Sequence, residues 1–341
     1  MGDVEPTSGA ESIEIVLRQH VVRRRDEVVD VVVAVAESGE GREARHLDRM
    51  PAQRRSSCND RFVPHEVPAR TFDPTAVAVV LCDLDGVVWL AHEPIPGSVE
   101  AVSAIRATGR RVLFVTNNSS KVVADQERAL ADIGIDGTGD VVSSAMAAAT
   151  LVRSGERVLV VGGPGIAEAV EERGAVAVAN DIDLGSDELA AIDAVVVGLD
   201  RDFDYARLHR AASAIHRGAR LIATNHDPTY PTPDGPEPGG GSLVAAVSTA
   251  GLATPEYAGK PRRPMADVIV DILSGDGPRF EPGSAVMVGD RPDSDGLFAQ
   301  TLGCPFVLVR SGVTAPGQRV PDDVTVDLDV VSLRAVAAAL A

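Results

Sequence analysis

Aromatic residues make up only 3% of this 341-residue chain, and just two of its 32 basic residues, Lys121 and Lys260, are lysines. So few rings leave little to stack on single-stranded nucleic acid, and a formal net charge of -18 repels a phosphate backbone. Nucleic acid is therefore not an expected partner. Long apolar runs are also missing. None approaches the roughly 18 residues needed to span a bilayer, so no membrane partner is expected. The N-terminus lacks the apolar segment and small-residue cleavage site of a secretory signal, and the expected compartment is the cytoplasm. Cys58, Cys82 and Cys304 have no metal-ligand spacing. Cys82 and Cys304 sit in apolar surroundings and read as reduced packing residues. In a sequence that uses arginine almost everywhere, a lysine hints at a site where a compact point charge serves and a wide planar fork does not.

A composition of 45% hydrophobic and 24% charged residues is that of an ordinary globular protein, long enough for two domains. Residues 1–75 stand apart as an extension expected to be poorly ordered. They carry eleven arginines, including Arg23-Arg24-Arg25 and Arg54-Arg55. Ile13 to Ala36 is open to helix or strand, and Gly39 to Pro74 is polar and aperiodic, which reads as linker. From Ala76 strands alternate with helices, the pattern of a parallel sheet covered on both faces. Val77–Cys82 and Arg111–Val115 read as strands, with helices over Val99–Ala107 and Val122–Ile133. A second unit starts near Val158, and Pro228–Gly241 reads as loop. The first pattern resumes after Lys260, with strands at Ser284–Val288 and Phe306–Val309. The fold class is α/β: a Rossmann-like parallel-sheet core over 76–150 and 257–341, interrupted by an inserted α/β domain over 151–256.

Asp83 and Asp85 follow the first strand directly, where ligands bind an open parallel sheet. One carboxylate can attack phosphorus, and the other can protonate the leaving oxygen and later activate water. Gly86 permits the turn behind them. Asp290 ends another core strand, with Asp293 and Asp295 just beyond. Mg²⁺ prefers oxygen ligands and few carboxylates. Asp83, Asp290 and the backbone carbonyl of Asp85 can supply that set, with Asp295 acting through water or by orienting Asp290. Thr116 and Asn117, at the end of the second strand, can hold phosphoryl oxygens. Lys260 can neutralise charge on the phosphoryl group and on Asp83, whereas Lys121 reads as solvated.

These residues resemble the four motifs of the haloacid dehalogenase superfamily of phosphohydrolases. Asp83-Leu84-Asp85-Gly86-Val87 matches the first, Thr116-Asn117 the second and Lys260 the third. Gly289-Asp290-Arg291-Pro292-Asp293-Ser294-Asp295 matches the fourth. Their order and spacing look like the subgroup with a large α/β cap, which includes NagD-like and phosphoglycolate phosphatases, and the resemblance covers residues 76 to 320. It implies Asp83 as nucleophile, Asp85 as acid/base, Thr116 and Lys260 as phosphate holders, Asn117 and Gly86 beside them, and Mg²⁺ as cofactor. Pro292 and Gly296 depart from the aliphatic residues usual in the fourth motif.

The stretch Ala223–Pro231 resembles the subgroup's substrate-recognition loop, making Asn225, His226, Asp227 and Tyr230 the specificity candidates. The expected partner is a small phosphorylated metabolite. Glycerol 3-phosphate or phosphoglycolate leads, with sugar phosphates, pyridoxal phosphate and nucleotides as alternatives, and a homodimer through the cap is compatible with the reading. One rival lies inside the inserted domain. Gly163-Pro164-Gly165 after a strand resembles half of a dinucleotide fingerprint, with Asp181 downstream, but Glu168 stands where the last glycine belongs. A non-catalytic metabolite-binding protein is the other rival, opposed by the full set of acids.

Overall fold

A computed structural model describes residues 15–24, 27–36, 72–181 and 183–341. The chain divides into two units, Met1–His65 and Glu66–Ala341. In the first, Ile15–Arg24 and Glu27–Ala36 pair as antiparallel strands, with Ile15 opposite Ala36. The stretch left open between helix and strand thus takes the form that β-branched valines favour. The linker read over Gly39–Pro74 falls almost wholly outside the described residues, as does Cys58.

The second unit is built on two parallel sheets. One has six strands in the order Leu328–Val330, Phe306–Val309, Ala285–Gly289, Val79–Cys82, Arg111–Thr116, Val141–Ser143. The chain enters at Val79–Cys82, builds outward through Arg111–Thr116 and Val141–Ser143, then returns to the other side of its first strand. The carboxyl ends of Val79–Cys82 and Ala285–Gly289 therefore flank the point where strand order reverses, the usual ligand crevice of such sheets. Side-chain alternation divides the core between the two faces. Leu81, Leu113 and Met287 join one apolar cluster, while Val80, Cys82, Phe114 and Val288 join another.

The other sheet has five strands in the order Glu256–Tyr257, Arg220–Ala223, Ala194–Val197, Arg157–Val161, Val176–Ala179. All of them lie in chain between the Val141–Ser143 and Ala285–Gly289 strands. Val158, Val160, Ala194, Val196 and Ile222 share the cluster of Leu81 and Leu113, so one face of this sheet is continuous with the core. The opposite face packs separately around Leu159, Val195 and Leu243.

Three elements differ from the sequence reading. Pro228–Gly241 is not all loop: Thr229–Thr232 and Gly235–Pro238 form a short antiparallel ribbon. Pro231 sits opposite Pro236 there, tolerated because a two-stranded ribbon belongs to no larger ladder. Gly240 opens the helix Gly240–Gly251. A further strand, Leu328–Val330, lies beyond Phe306–Val309, its short, half-exposed sequence too weak to announce it.

The Gly163-Pro164-Gly165 turn also has a different purpose from the dinucleotide reading. A Cβ on Gly163 would fall 2.1 Å from the Ser120 carbonyl oxygen, and one on Gly165 2.1 Å from that of Lys121. These glycines let the Pro164–Glu172 helix press onto the backbone that follows Thr116-Asn117. Glu168, the residue that breaks the fingerprint, accepts the Val123 N–H at 2.9 Å and so caps the Val123–Asp132 helix. Replacing Gly163 with alanine should destabilise the protein by about 1–3 kcal/mol, the usual cost of overpacking. The midpoint of urea unfolding measures it, and an unchanged midpoint means the junction yields.

Candidate active site

Asp83 continues the ladder of the first core strand, donating its N–H to Val288 O at 2.9 Å, and its carboxylate emerges where strand order reverses. Lys260 reaches the same point from the other side. It is 1% exposed, and its Nζ donates to Asp83 Oδ1 at 2.8 Å and Asp295 Oδ1 at 2.7 Å. Asp295 is fixed in turn, its Oδ2 accepting the Arg291 N–H at 3.0 Å across the π-helical turn Pro292–Gly296. Asp290 is fully buried. Its Oδ2 accepts the Val313 N–H, while its Oδ1 has no partner among the described residues. A Cβ on Gly86 would meet Asp290 Oδ2 at 2.3 Å, so only glycine lets the backbone after Asp85 pass this acid.

Asp83, Asp290 and Asp295 each bring a carboxylate oxygen within 4.8 Å of the others. Burial pushes Asp83 well above the usual carboxylate range. Lys260 opposes that rise, while Asp295 and Asp290 add to it. Burial, with the Asp295 charge, also lifts Asp290 to about 7. Burial works against the Lys260 ammonium too, yet Asp295 and Asp83 outweigh it and hold the pKa above that of an ordinary lysine. The ammonium stays charged and the unfavourable energy falls on the acids. Three close carboxylates with one free buried oxygen suit a hard divalent cation with oxygen ligands.

Asn117 ties these parts together. Its Oδ1 accepts the Lys260 N–H at 2.9 Å, and its Nδ2 donates to Lys260 O at 3.1 Å, Ser294 Oγ at 3.2 Å and Asp227 Oδ2 at 2.8 Å. Its carbonyl accepts from Ser144 Oγ and from Asn225 Nδ2, both at 2.7 Å. Thr116 is buried beside it, and its Oγ1 accepts the Asn118 N–H at 2.9 Å.

A cleft opens over this cluster, lined by Asp83, Asp85, Thr116, Asn117 and Lys260 from one side and by Asn225, Asp227 and Tyr230 from the other. Ten of the twelve sequence candidates thus meet, eight in the lining of the cleft and Asp290 and Asp295 in the acid cluster beneath it. The other two, Gly86 and His226, stand outside both. Gly86 does not line the cleft: its N–H is spent on Trp89 O at 2.7 Å, and it backs Asp290 instead of a phosphate. His226 is also outside the lining, its ring packed edge-on against Tyr257 at 6.0 Å. Asn225 reaches the cleft with both ends of its amide engaged, Oδ1 accepting from Asp227 N and Nδ2 bonding Asn117 O. Asp85 stands apart from the acid cluster. Its Oδ1 accepts from Trp89 Nε1 at 3.1 Å and Tyr230 OH at 2.9 Å, and burial raises its pKa to about 6 against the effect of those two bonds. Lys121 is exposed, as read.

Sequence reasoning assigned nothing to Arg291, Ser294 or Trp89. Arg291 lines the cleft and donates through Nη1 to Thr229 O at 3.3 Å. Arg291 and Ser294 lay inside the fourth motif, and Trp89 is the chain's single tryptophan, so both signals were available.

A sequence model described as haloacid dehalogenase-like hydrolase matches residues 80–176, and a second, HAD-hydrolase-like, matches 257–331. A D-glycerol 3-phosphate phosphatase of Mycobacterium tuberculosis is 38% identical over 241 residues, covering 69% of this chain and 64% of that protein. The chain thus spans less than two thirds of that relative's length. An acid sugar phosphatase of Staphylococcus haemolyticus is 32% identical over 238 residues, covering 69% of this chain and 85% of the other. The crystal structure of a Mycobacterium tuberculosis glycerol phosphate phosphatase in complex with magnesium superposes with a TM-score of 0.61 at 36% identity, covering 72% and 74% of the two chains.

Replacing Lys260 with methionine should destabilise the protein by about 3–5 kcal/mol, because Asp83 and Asp295 then lose their buried counter-charge. Urea unfolding in chelator-treated buffer measures this, and a loss below about 1 kcal/mol means that protonation of the acids replaces the ammonium.

Proposed function

The chain belongs to the haloacid dehalogenase-like hydrolase family, and on that premise we propose that it is a Mg²⁺-dependent phosphatase of a small phosphomonoester, working through an aspartyl-phosphate on Asp83. The observation that carries this reading is the buried ammonium of Lys260 between Asp83 and Asp295, with Asp290 Oδ1 left open beside them. Asp83 and Asp290 would hold the cation, with the Asp85 carbonyl, while Asp295 orients the pair. When bound, it offsets the excess negative charge of the acids and of the phosphoryl group.

Asp83 attacks phosphorus, and the bond to the ester oxygen breaks. The leaving oxygen takes a proton from Asp85, which then removes one from the water that hydrolyses the aspartyl-phosphate. Lys260 balances charge as it moves from Asp83 to the phosphoryl oxygens, and the buried Thr116 hydroxyl and neighbouring backbone hold those oxygens. The inserted segment serves as the cap: Asp227 and Tyr230 reach the cleft from its ribbon side, so substrate choice falls to them and to Arg291. The carboxylate, amide and hydroxyl groups of Asp227, Asn118 and Tyr230 in the lining suit a short, hydroxylated ester, and glycerol 3-phosphate is the first candidate, ahead of phosphoglycolate and sugar phosphates. No helix among the described residues is long and apolar enough to cross a membrane, and the buried thiols of Cys82 and Cys304 suit a reducing cytoplasm.

Two measurements test the proposal. Asp83→Asn should lower phosphate release from a metabolite panel at least about a thousandfold while leaving the far-ultraviolet dichroism unchanged. Chelation should abolish activity and added Mg²⁺ restore it. Turnover by the Asn variant, or full activity in chelator, overturns the assignment.

A further inference from the structure

The carboxyl group of Asp85 is held in an unusual way. Two donors from separate parts of the chain converge on a single oxygen, Oδ1: the Trp89 indole N–H at 3.1 Å and the Tyr230 hydroxyl at 2.9 Å. Among the described residues no protein group bonds Oδ2. Trp89 opens the short strand Trp89–Leu90 after the first motif, buried and packed edge-on to His92 at 4.8 Å. Tyr230 belongs to the Thr229–Thr232 strand of the inserted segment, 145 residues away in sequence. Its ring lies under the Arg201 guanidinium at 5.7 Å, and Arg291 holds the neighbouring Thr229 carbonyl.

Building on the phosphatase reading, we infer that Tyr230 is a positioning residue for the proton donor, fixing Asp85 so that its proton resides on Oδ2, facing the leaving oxygen. With two donors on Oδ1, a proton placed there would collide with both, so the protonated acid must carry it on Oδ2. Removing the phenol hydroxyl leaves Trp89 alone, and the carboxyl gains freedom to rotate. Burial and the Asp85 charge both raise the Tyr230 pKa, which keeps the phenol a donor. In the reaction the ester oxygen–phosphorus bond breaks, its electron pair stays on oxygen, and the Oδ2 proton neutralises it as the aspartyl-phosphate forms on Asp83. The Tyr230 bond persists and stabilises the Asp85 carboxylate left behind. Because Tyr230 comes from the inserted segment, the donor is fully set only when that segment is seated.

The consequence is a dependence on the leaving group. Phenyl and 4-nitrophenyl phosphate have nearly the same shape. Phenolate is the conjugate base of an acid of pKa about 10 and benefits from a proton, whereas 4-nitrophenolate departs with little help. Full-length Tyr230→Phe should lower kcat for phenyl phosphate about tenfold and for 4-nitrophenyl phosphate less than about threefold, with KM for both nearly unchanged. Asp85→Asn, measured alongside, should show the same selectivity more steeply. Equal losses on the two esters in Tyr230→Phe, or a change confined to KM, overturn the Tyr230 role while a selective Asp85→Asn keeps the phosphatase mechanism. An unselective Asp85→Asn removes the proton-donor assignment itself, and the inference falls with it.

Discussion

A single ammonium with 1% exposure holds the end of the core sheet together. Lys260 Nζ sits between Asp83 and Asp295, at 2.8 and 2.7 Å, inside a shell with almost no access to water. In such a place each carboxylate is costly alone, and attraction to one cation offsets only part of the cost. Every neighbouring feature follows from keeping that arrangement in register. The Asn117 side chain bonds both the N–H and the carbonyl of Lys260, so the lysine backbone cannot slide along the sheet end. The Pro292–Gly296 turn winds tightly enough for Asp295 to close back on the Arg291 N–H. Gly86 has no side chain because Asp290 occupies the space a Cβ would need.

The same crowding explains the electrostatics. Desolvation is the largest cause of the raised pKa of Asp83, Asp85 and Asp290, while Lys260 favours ionisation of all three. The acids differ through their other partners. Asp290 faces Asp295 and lacks a donor on Oδ1, which suits a cation. Asp85 faces two neutral donors and no close carboxylate of the cluster, which suits an acid that gains and loses a proton. Two carboxylates two residues apart thus lie in separate environments, Asp83 against the Lys260 ammonium and Asp85 against the Trp89 indole and the Tyr230 hydroxyl.

Much of this was legible in the sequence. Asp83, Asp290 and Lys260 announced themselves because short apolar strands end on charged residues, and a lysine among thirty arginines is a chemical choice. The alternation of strands and helices revealed the sheet and its interruption, since fully buried strands read as continuous apolar runs. Other features depend on contacts far apart in the chain. Nothing local to Tyr230 says that its hydroxyl meets Asp85, and nothing local to Asn117 says that its amide is a brace. The resemblance places Gly86 beside the phosphate holders, whereas its N–H is committed to Trp89 O. His226 is polar and sits among cleft residues in sequence, but on a turning backbone its ring packs on Tyr257.

The glycines at 163 and 165 show why a short motif needs its surroundings. A strand, a Gly-Pro-Gly turn and a helix would suit a pyrophosphate if the helix N-terminus opened to solvent. Here the carbonyls of Ser120 and Lys121 occupy that space, and Glu168 reaches back to cap the helix that follows them. The small residues that would admit a phosphate instead admit another stretch of backbone, the one carrying Thr116, Asn117 and Asn118 into the cleft. Close approach at this junction and the Asn117–Asp227 bond on the far side of the same loop act on the same few residues. The inserted segment is therefore anchored at the second motif from two directions, which is where a segment must be anchored if its ribbon is to reach Asp85.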